Sequence, residues 1–226
     1  MWDRDLDRRV ARTVQRPLAS GTVSMPQAVA WLGFQLTTGL GVLLSLPHTW
    51  TCFQWGCAVM PLIVVYPATK RFFAYPQLVL GMTINWGTIL GFAAVQGAAD
   101  PSIVLPLYGS GVTWTLLYDT IYAHQDKEDD SKLELNSTAL TFGDNKNVLY
   151  GFAAMTALQW LAVGVQADLS MVPYTTGIGA AYAHLLWQVK TADLYDPHNL
   201  AQRFRSNSTV GALVFGALCA GQYFSG

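Results

Sequence analysis

The chain has 226 residues, 52% of them hydrophobic and only 12% charged, with a mean hydropathy of +0.28. Soluble domains carry about a quarter of their residues as Asp, Glu, Lys and Arg, so this composition excludes an ordinary soluble domain and predicts an all-α, polytopic membrane helical bundle. The formal net charge of −1 matters less than where the charges sit, and no nucleic-acid partner is expected.

The chain opens inside a charged segment, Met1-Trp2-Asp3-Arg4-Asp5-Leu6-Asp7, with no readable signal or transit peptide. Asp3 and Asp7 stand four residues apart and therefore share a helical face; alone, such a pair reads as a solvated juxtamembrane helix laced with Asp–Arg pairs. A basic turn follows from Arg12 to Gly21. Its Arg12 and Arg16 are suited to bidentate contact with phosphate oxygens, or equally to flanking a membrane span.

Apolar segments of spanning length run over 26–46, 52–68, 76–96, 103–123, 147–165, 170–189 and 208–224, each near the roughly 20 residues a bilayer helix needs. Turn formers in 46–50 and 97–101 make minimal loops on one side. Lys70 and Arg71 follow Tyr66-Pro67 and are bracketed by Pro67 and Pro76, a stiff connection that suits a phosphate ligand as well as ordinary flanking charge. All 13 Lys and Arg residues fall on one side of this seven-span reading, and the opposite loops hold only Asp100 and Asp168 as acids. The positive-inside rule turns the charged side to the cytosol or to a mitochondrial matrix.

Within the spans, Asn85 and Trp86 lie at mid-depth, and Gln35, Gln159 and Gln188 at intramembrane or interfacial positions. Polar groups there line cavities or bond between helices. Gly81, Gly87, Gly91, Gly177 and Gly179 predict close helix approach. Cys52, Cys57 and Cys219 lie in apolar runs and read as small core hydrophobes, while His48, His184 and His198 lack metal-ligand spacing.

The stretch from Tyr118 to Asp130, Y-D-T-I-Y-A-H-Q-D-K-E-D-D, follows an apolar run directly and carries five acidic groups. On a continuous helix at about 100° per residue, Asp119, Asp126 and Asp130 fall within about 40° of one another, with Tyr122 in the same quarter. Like charges so close raise one another's pKa values and are tolerated mainly beside cations. Mg²⁺ is typically held by one or two carboxylates together with substrate phosphates, so two acidic clusters with Arg and Lys nearby describe a diphosphate site. In a helical membrane cavity, the matching substrate has a diphosphate head and a long apolar tail, as an isoprenyl diphosphate does.

These residues carry a family resemblance. The run Tyr118 to Asp130, followed by Ser137-Thr138-Ala139-Leu140 and Phe142-Gly143, with Arg16-Pro17, Tyr66-Pro67, Lys70-Arg71, Pro76-Gln77, Asn85-Trp86-Gly87 and Leu105-Pro106-Leu107-Tyr108, resembles the UbiA superfamily of intramembrane prenyltransferases. The similarity is greatest to its eukaryotic 4-hydroxybenzoate branch and covers essentially the whole chain, read as one domain, 1–226. The resemblance implies Asp3, Asp7, Asp126 and Asp130 as direct or water-mediated Mg²⁺ ligands and Asp119 as a support or ligand. It also implies Arg16, Lys70 and Arg71 as diphosphate contacts, and Tyr66, Asn85, Trp86 and Tyr122 as substrate-pocket residues.

The implied substrates are polyprenyl diphosphate and 4-hydroxybenzoate, in a bilayer and beside a ubiquinone-synthesis complex, with the inner mitochondrial membrane as location. The family's first motif, N-D-x-x-D-x-x-x-D, is matched only in its second half, by Asp3 and Asp7. Against a nine-helix family the seven spans correspond to the third through ninth, which gives the expectation of an N-terminally truncated and inactive chain. Asn136 and Glu128 stand where the family commonly carries basic residues. The competing readings are a prenyltransferase of homogentisate or a polyketide acid, and a cation transporter; the clustering of acids at one end favours the enzyme over the transporter.

Overall fold

The computed structural model describes every residue except Trp2, Ala11, Arg12 and Gly226, so Arg12 of the basic turn lies outside the described residues. The described residues form helices and turns with no strand. In chain order these are α1 (Arg4–Asp7), α2 (Pro17–Ser20), α3 (Met25–Ser45), α4 (Thr49–Ala58), α5 (Met60–Thr69), α6 (Pro76–Ile84), α7 (Gly87–Gln96) and α8 (Pro101–Ala123). A 3₁₀ turn (His124–Asp126) then leads into α9 (Lys127–Lys132), α10 (Thr138–Phe142), α11 (Lys146–Gln166), α12 (Met171–Thr191), α13 (Pro197–Arg205) and α14 (Asn207–Tyr223).

Several helix starts are written locally. Ser24 accepts from the Gln27 N–H and Gln27 returns the bond to the Ser24 N–H at 2.9 Å, a reciprocal cap ahead of α3. Asp100 and Asp196 each cap a helix whose first residue is proline, accepting from Ser102 N and His198 N at 2.9 Å. Pro101 and Pro197 lose nothing there, because the first helical N–H has no intrahelical partner in any case.

Each of the seven apolar segments is helical, but two are broken. The 52–68 segment divides at Val59 between α4 and α5, with Pro61 in the first turn of the new helix. The 76–96 segment divides at Asn85 and Trp86, where the Asn85 amide donates to Gly81 O at 2.8 Å and to Thr115 Oγ1 at 3.0 Å. Among the described residues four stretches, Met25–Ser45, Thr49–Thr69, Pro76–Gln96 and Lys146–Gln166, are long and apolar enough to cross a bilayer by length and composition. Trp31, Phe34, Val42 and Val64 stand exposed on them, a surface suited to lipid.

The buried core lies between α8, α11, α12, α13 and α14, around Leu117, Ile121, Trp160, Tyr174, Leu185 and Leu200. Tyr174 satisfies its buried hydroxyl by donating to Trp160 O at 2.6 Å. Helix–helix contact in a membrane rests on packing and small residues, and two of the five predicted glycines serve it. A Cβ on Gly81 would lie 3.1 Å from Val112 O, and one on Gly177 would lie 2.6 Å from Ala217 Cβ. Gly87, Gly91 and Gly179 face open space instead.

Candidate active site

α8 delivers one wall of the site. It stops at Ala123, and the 3₁₀ turn tightens the backbone before α9 resumes at Lys127. The continuous helix expected from Tyr118 to Asp130 is therefore interrupted, because a 3₁₀ turn winds at three residues per turn rather than 3.6. Asp119, Asp126 and Asp130 nonetheless line one cavity of about 320 Å³, together with Asp3 and Asp7 from the α1 segment. Arg16, Tyr66, Lys70, Arg71 and Tyr122 line the same space.

Adjacent cations at the end of α5 link the two acidic clusters. Arg71 Nη2 reaches Asp3 Oδ1 at 3.1 Å, and Lys70 Nζ lies 3.5 Å from Asp130 Oδ1. Arg16 Nη1 donates to Asp7 Oδ1 at 2.8 Å. Asp130 is 3% exposed, so Lys70 offsets part of the cost of keeping a carboxylate out of water.

The framework around these charges uses contacts that the sequence does not show. Asn136 donates both its backbone N–H and its side-chain Nδ2 to Lys70 O, at 2.7 and 3.2 Å. The position that departs from the family pattern therefore fixes the backbone of a cavity cation. Buried Gln77 accepts from Thr138 N at 3.0 Å, and the hydroxyls of Thr120 and Thr138 meet at 2.7 Å. Thr13 donates to Asp7 O at 3.0 Å. Sequence reasoning lacks a signal for these contacts, because each partner is brought near only by folding.

Asn85 and Trp86 are absent from the described cavity lining. Asn85 is committed to Gly81 and Thr115, and Trp86 Nε1 donates to Trp55 O at 2.9 Å while its ring packs against Tyr108. Aromatic contacts instead run inward from the cavity wall along α8: Tyr122 and Tyr118 both pack on Phe204, with ring centroids 4.5 and 5.5 Å apart, and Trp114 packs on Tyr118.

The segment carrying Asp126 and Asp130 is a partition. Behind it lies a second cavity of about 710 Å³ lined by Gln125, Lys127, Asp129, Asp144 and Tyr195, among others. Lys127 donates to Asp144 at 2.7 Å and Tyr195 also donates to it. Those bonds, that from Lys127 foremost, hold the Asp144 carboxyl below its ordinary pKa, and Asp144 pushes the Tyr195 phenol up. Buried His124 braces the same partition, with Nδ1 2.8 Å from Thr120 O and Nε2 3.2 Å from Gly143 O.

Among the described residues no group of three or more His, Cys, Asp or Glu side chains is gathered to hold an ion by itself. The cavity offers hard carboxylate oxygens beside cations, the donor chemistry with which Mg²⁺ is held jointly with substrate phosphates. The residues present fit such a metal.

Fold and cavity together define an all-α membrane bundle with an acidic and basic pocket at its polar end. The profile of the UbiA prenyltransferase family matches residues 1–218, and the chain belongs to that family. It is 47% identical over 216 residues to the mitochondrial 4-hydroxybenzoate polyprenyltransferase of Bos taurus, covering 95% of this chain and 57% of that protein. It is also 47% identical over 226 residues to the protein of the same name from Arabidopsis thaliana, covering 99% of this chain and 54% of that protein. The chain thus spans little more than half the length of these relatives. The apo structure of a UbiA homolog from Aeropyrum pernix K1 superposes with a TM-score of 0.72 at 21% identity, over 96% of this chain and 80% of that one, a likeness of fold.

Proposed function

We propose that the protein transfers a polyprenyl chain from polyprenyl diphosphate to the ring carbon ortho to the hydroxyl of 4-hydroxybenzoate, a step of ubiquinone biosynthesis. The observation that carries this reading is the reach of adjacent Lys70 and Arg71 to Asp130 and Asp3, which makes both acidic clusters face one space. The names of the similar proteins supply the acceptor.

In this reading Asp3, Asp7, Asp126 and Asp130 would hold Mg²⁺, with Asp119 in support. When bound, the metal would supply positive charge against the diphosphate leaving group. Arg16, Lys70 and Arg71 exchange a carboxylate partner for phosphate oxygens, and so stabilise the leaving group as it takes the bonding electron pair. Tyr66, Tyr122 and the apolar lining residues Leu6, Val10 and Leu80 keep water from the carbon that the ring attacks. A new C–C bond forms and the ring loses a proton. The inner mitochondrial membrane, with the charged end to the matrix beside a ubiquinone-synthesis complex, is the corresponding location.

The test uses membranes carrying the full-length protein, long-chain prenyl diphosphate and labelled acceptor, with and without chelation of divalent metal. Metal-dependent labelling of 4-hydroxybenzoate above homogentisate is expected. Preference for homogentisate moves the protein to another acceptor class, and transfer that survives chelation removes the metal from the account.

A further inference from the structure

We infer a second binding site, for an anionic phospholipid headgroup, at the basic end of α12 where α13 folds back on it. It is separate from the aspartate cavity, whose described lining includes none of its residues, and it does not depend on the prenyltransferase reading.

Arg203 lays its guanidinium over the Trp187 ring, 4.0 Å from the centroid. Its Nε is buried without a hydrogen-bond partner. Among the described residues no carboxylate lies within ion-pair distance of Arg203, nor of Lys190, which stands three residues beyond Trp187 on neighbouring positions of α12. Two further buried polar atoms without partners share this spot: His184 Nε2 and Gln188 Oε1. Gln188 is only 1% exposed, and its amide nitrogen is already spent on Arg203 O, Ser206 Oγ and Asn207 Oδ1.

Buried polar atoms are normally satisfied, and a cation in a low-dielectric rim calls for an anion. The vacant chemistry is acceptor oxygens carrying negative charge for Arg203 and Lys190, which a phosphodiester supplies. Trp187, 42% exposed, stands where interfacial indoles meet headgroups. Basic pockets between membrane helices on the positive side recognise anionic lipids in this way.

The experiment purifies the full chain in detergent doped with phosphatidylglycerol, phosphatidylcholine or inorganic phosphate, and measures retained ligand by native mass spectrometry. Wild type is expected to retain phosphatidylglycerol over phosphatidylcholine. R203Q and K190Q should each lower that retention about fivefold, the effect of one cation near an anionic surface, and R205Q should leave it unchanged. Equal retention of the two lipids, or wild-type retention in R203Q and K190Q, overturns the site. Displacement by inorganic phosphate overturns the lipid as occupant. If R203Q fails to fold by size-exclusion profile, K190Q decides, since exposed Lys190 packs against nothing in the core.

Discussion

Asp129 and Asp130 are the same side chain one residue apart, and their surroundings differ completely. Asp130 is buried against Lys70 in the front cavity, whereas Asp129 lines the rear one. Under the proposed function, Asp126→Ala and Asp130→Ala should each lower prenyl transfer by more than about a hundredfold, the upper end of what residues merely supporting a metal ligand cost. Asp129→Ala should stay within about tenfold of wild type. Rates measured in membranes with matched protein levels decide it, and equal losses at all three positions would refute the assignment. The acidic residues were legible in the sequence because charges at a membrane boundary are conspicuous. The partners of Gln77, Thr13 and Asn136 were not, since an uncharged polar residue announces none, and they lie 61, 6 and 66 positions away.

At the scale of elements, periodicity and length located all seven apolar helices, but not the breaks at Val59 and Asn85. A hydropathy profile sums over a span, while a break depends on one proline or one amide finding a partner across helices. Packing is testable at Gly81: Gly81→Val would press on the α8 backbone at Val112 and should destabilise the bundle by about 1–3 kcal/mol, seen as a lower unfolding midpoint in detergent. Gly87→Val, facing open space, should shift it far less.

The tie between the 143–145 and 192–196 loops has a pH window. Asp144 has a depressed folded pKa, so its contribution is present above its ordinary value and is lost as pH falls through the folded one, below about 4. Tyr195 has a raised folded pKa, so its contribution holds below about pH 10 and is lost as pH rises through the folded value. Asp144→Asn should therefore let Tyr195 ionise at lower pH, read as phenolate absorbance against a Tyr195→Phe blank. An unmoved titration would show that the bond does not form in solution.

For the whole molecule, the one-sided distribution of Lys and Arg makes a topological prediction. With Cys57 and Cys219 replaced, Asp100→Cys and Lys132→Cys should react with an impermeant thiol reagent from opposite faces of a sealed membrane. Labelling of both from the same face would contradict the seven-span reading. Charge bias shows the polar end, but it does not reveal which polar residues meet. The joining of the two acidic clusters through Lys70 and Arg71 depends on helices distant in sequence, and only the folded chain displays it.

The partition between the cavities sets a strict condition on reading frame at the level of helix phase. Residues 125–132 alternate between a front chamber that uses Asp126 and Asp130 and a rear one that uses Gln125, Lys127 and Asp129. One alanine inserted after Lys127 would advance everything beyond it by about 100°, carrying Asp130 out of the front chamber without changing composition, charge or hydropathy. Such an insertion should silence the site as thoroughly as deleting the carboxylate. The same insertion in the Gly97–Asp100 loop, where no phase is kept, should leave prenyl transfer near wild type. Comparable losses from both insertions would mean that helical phase is not what the segment protects.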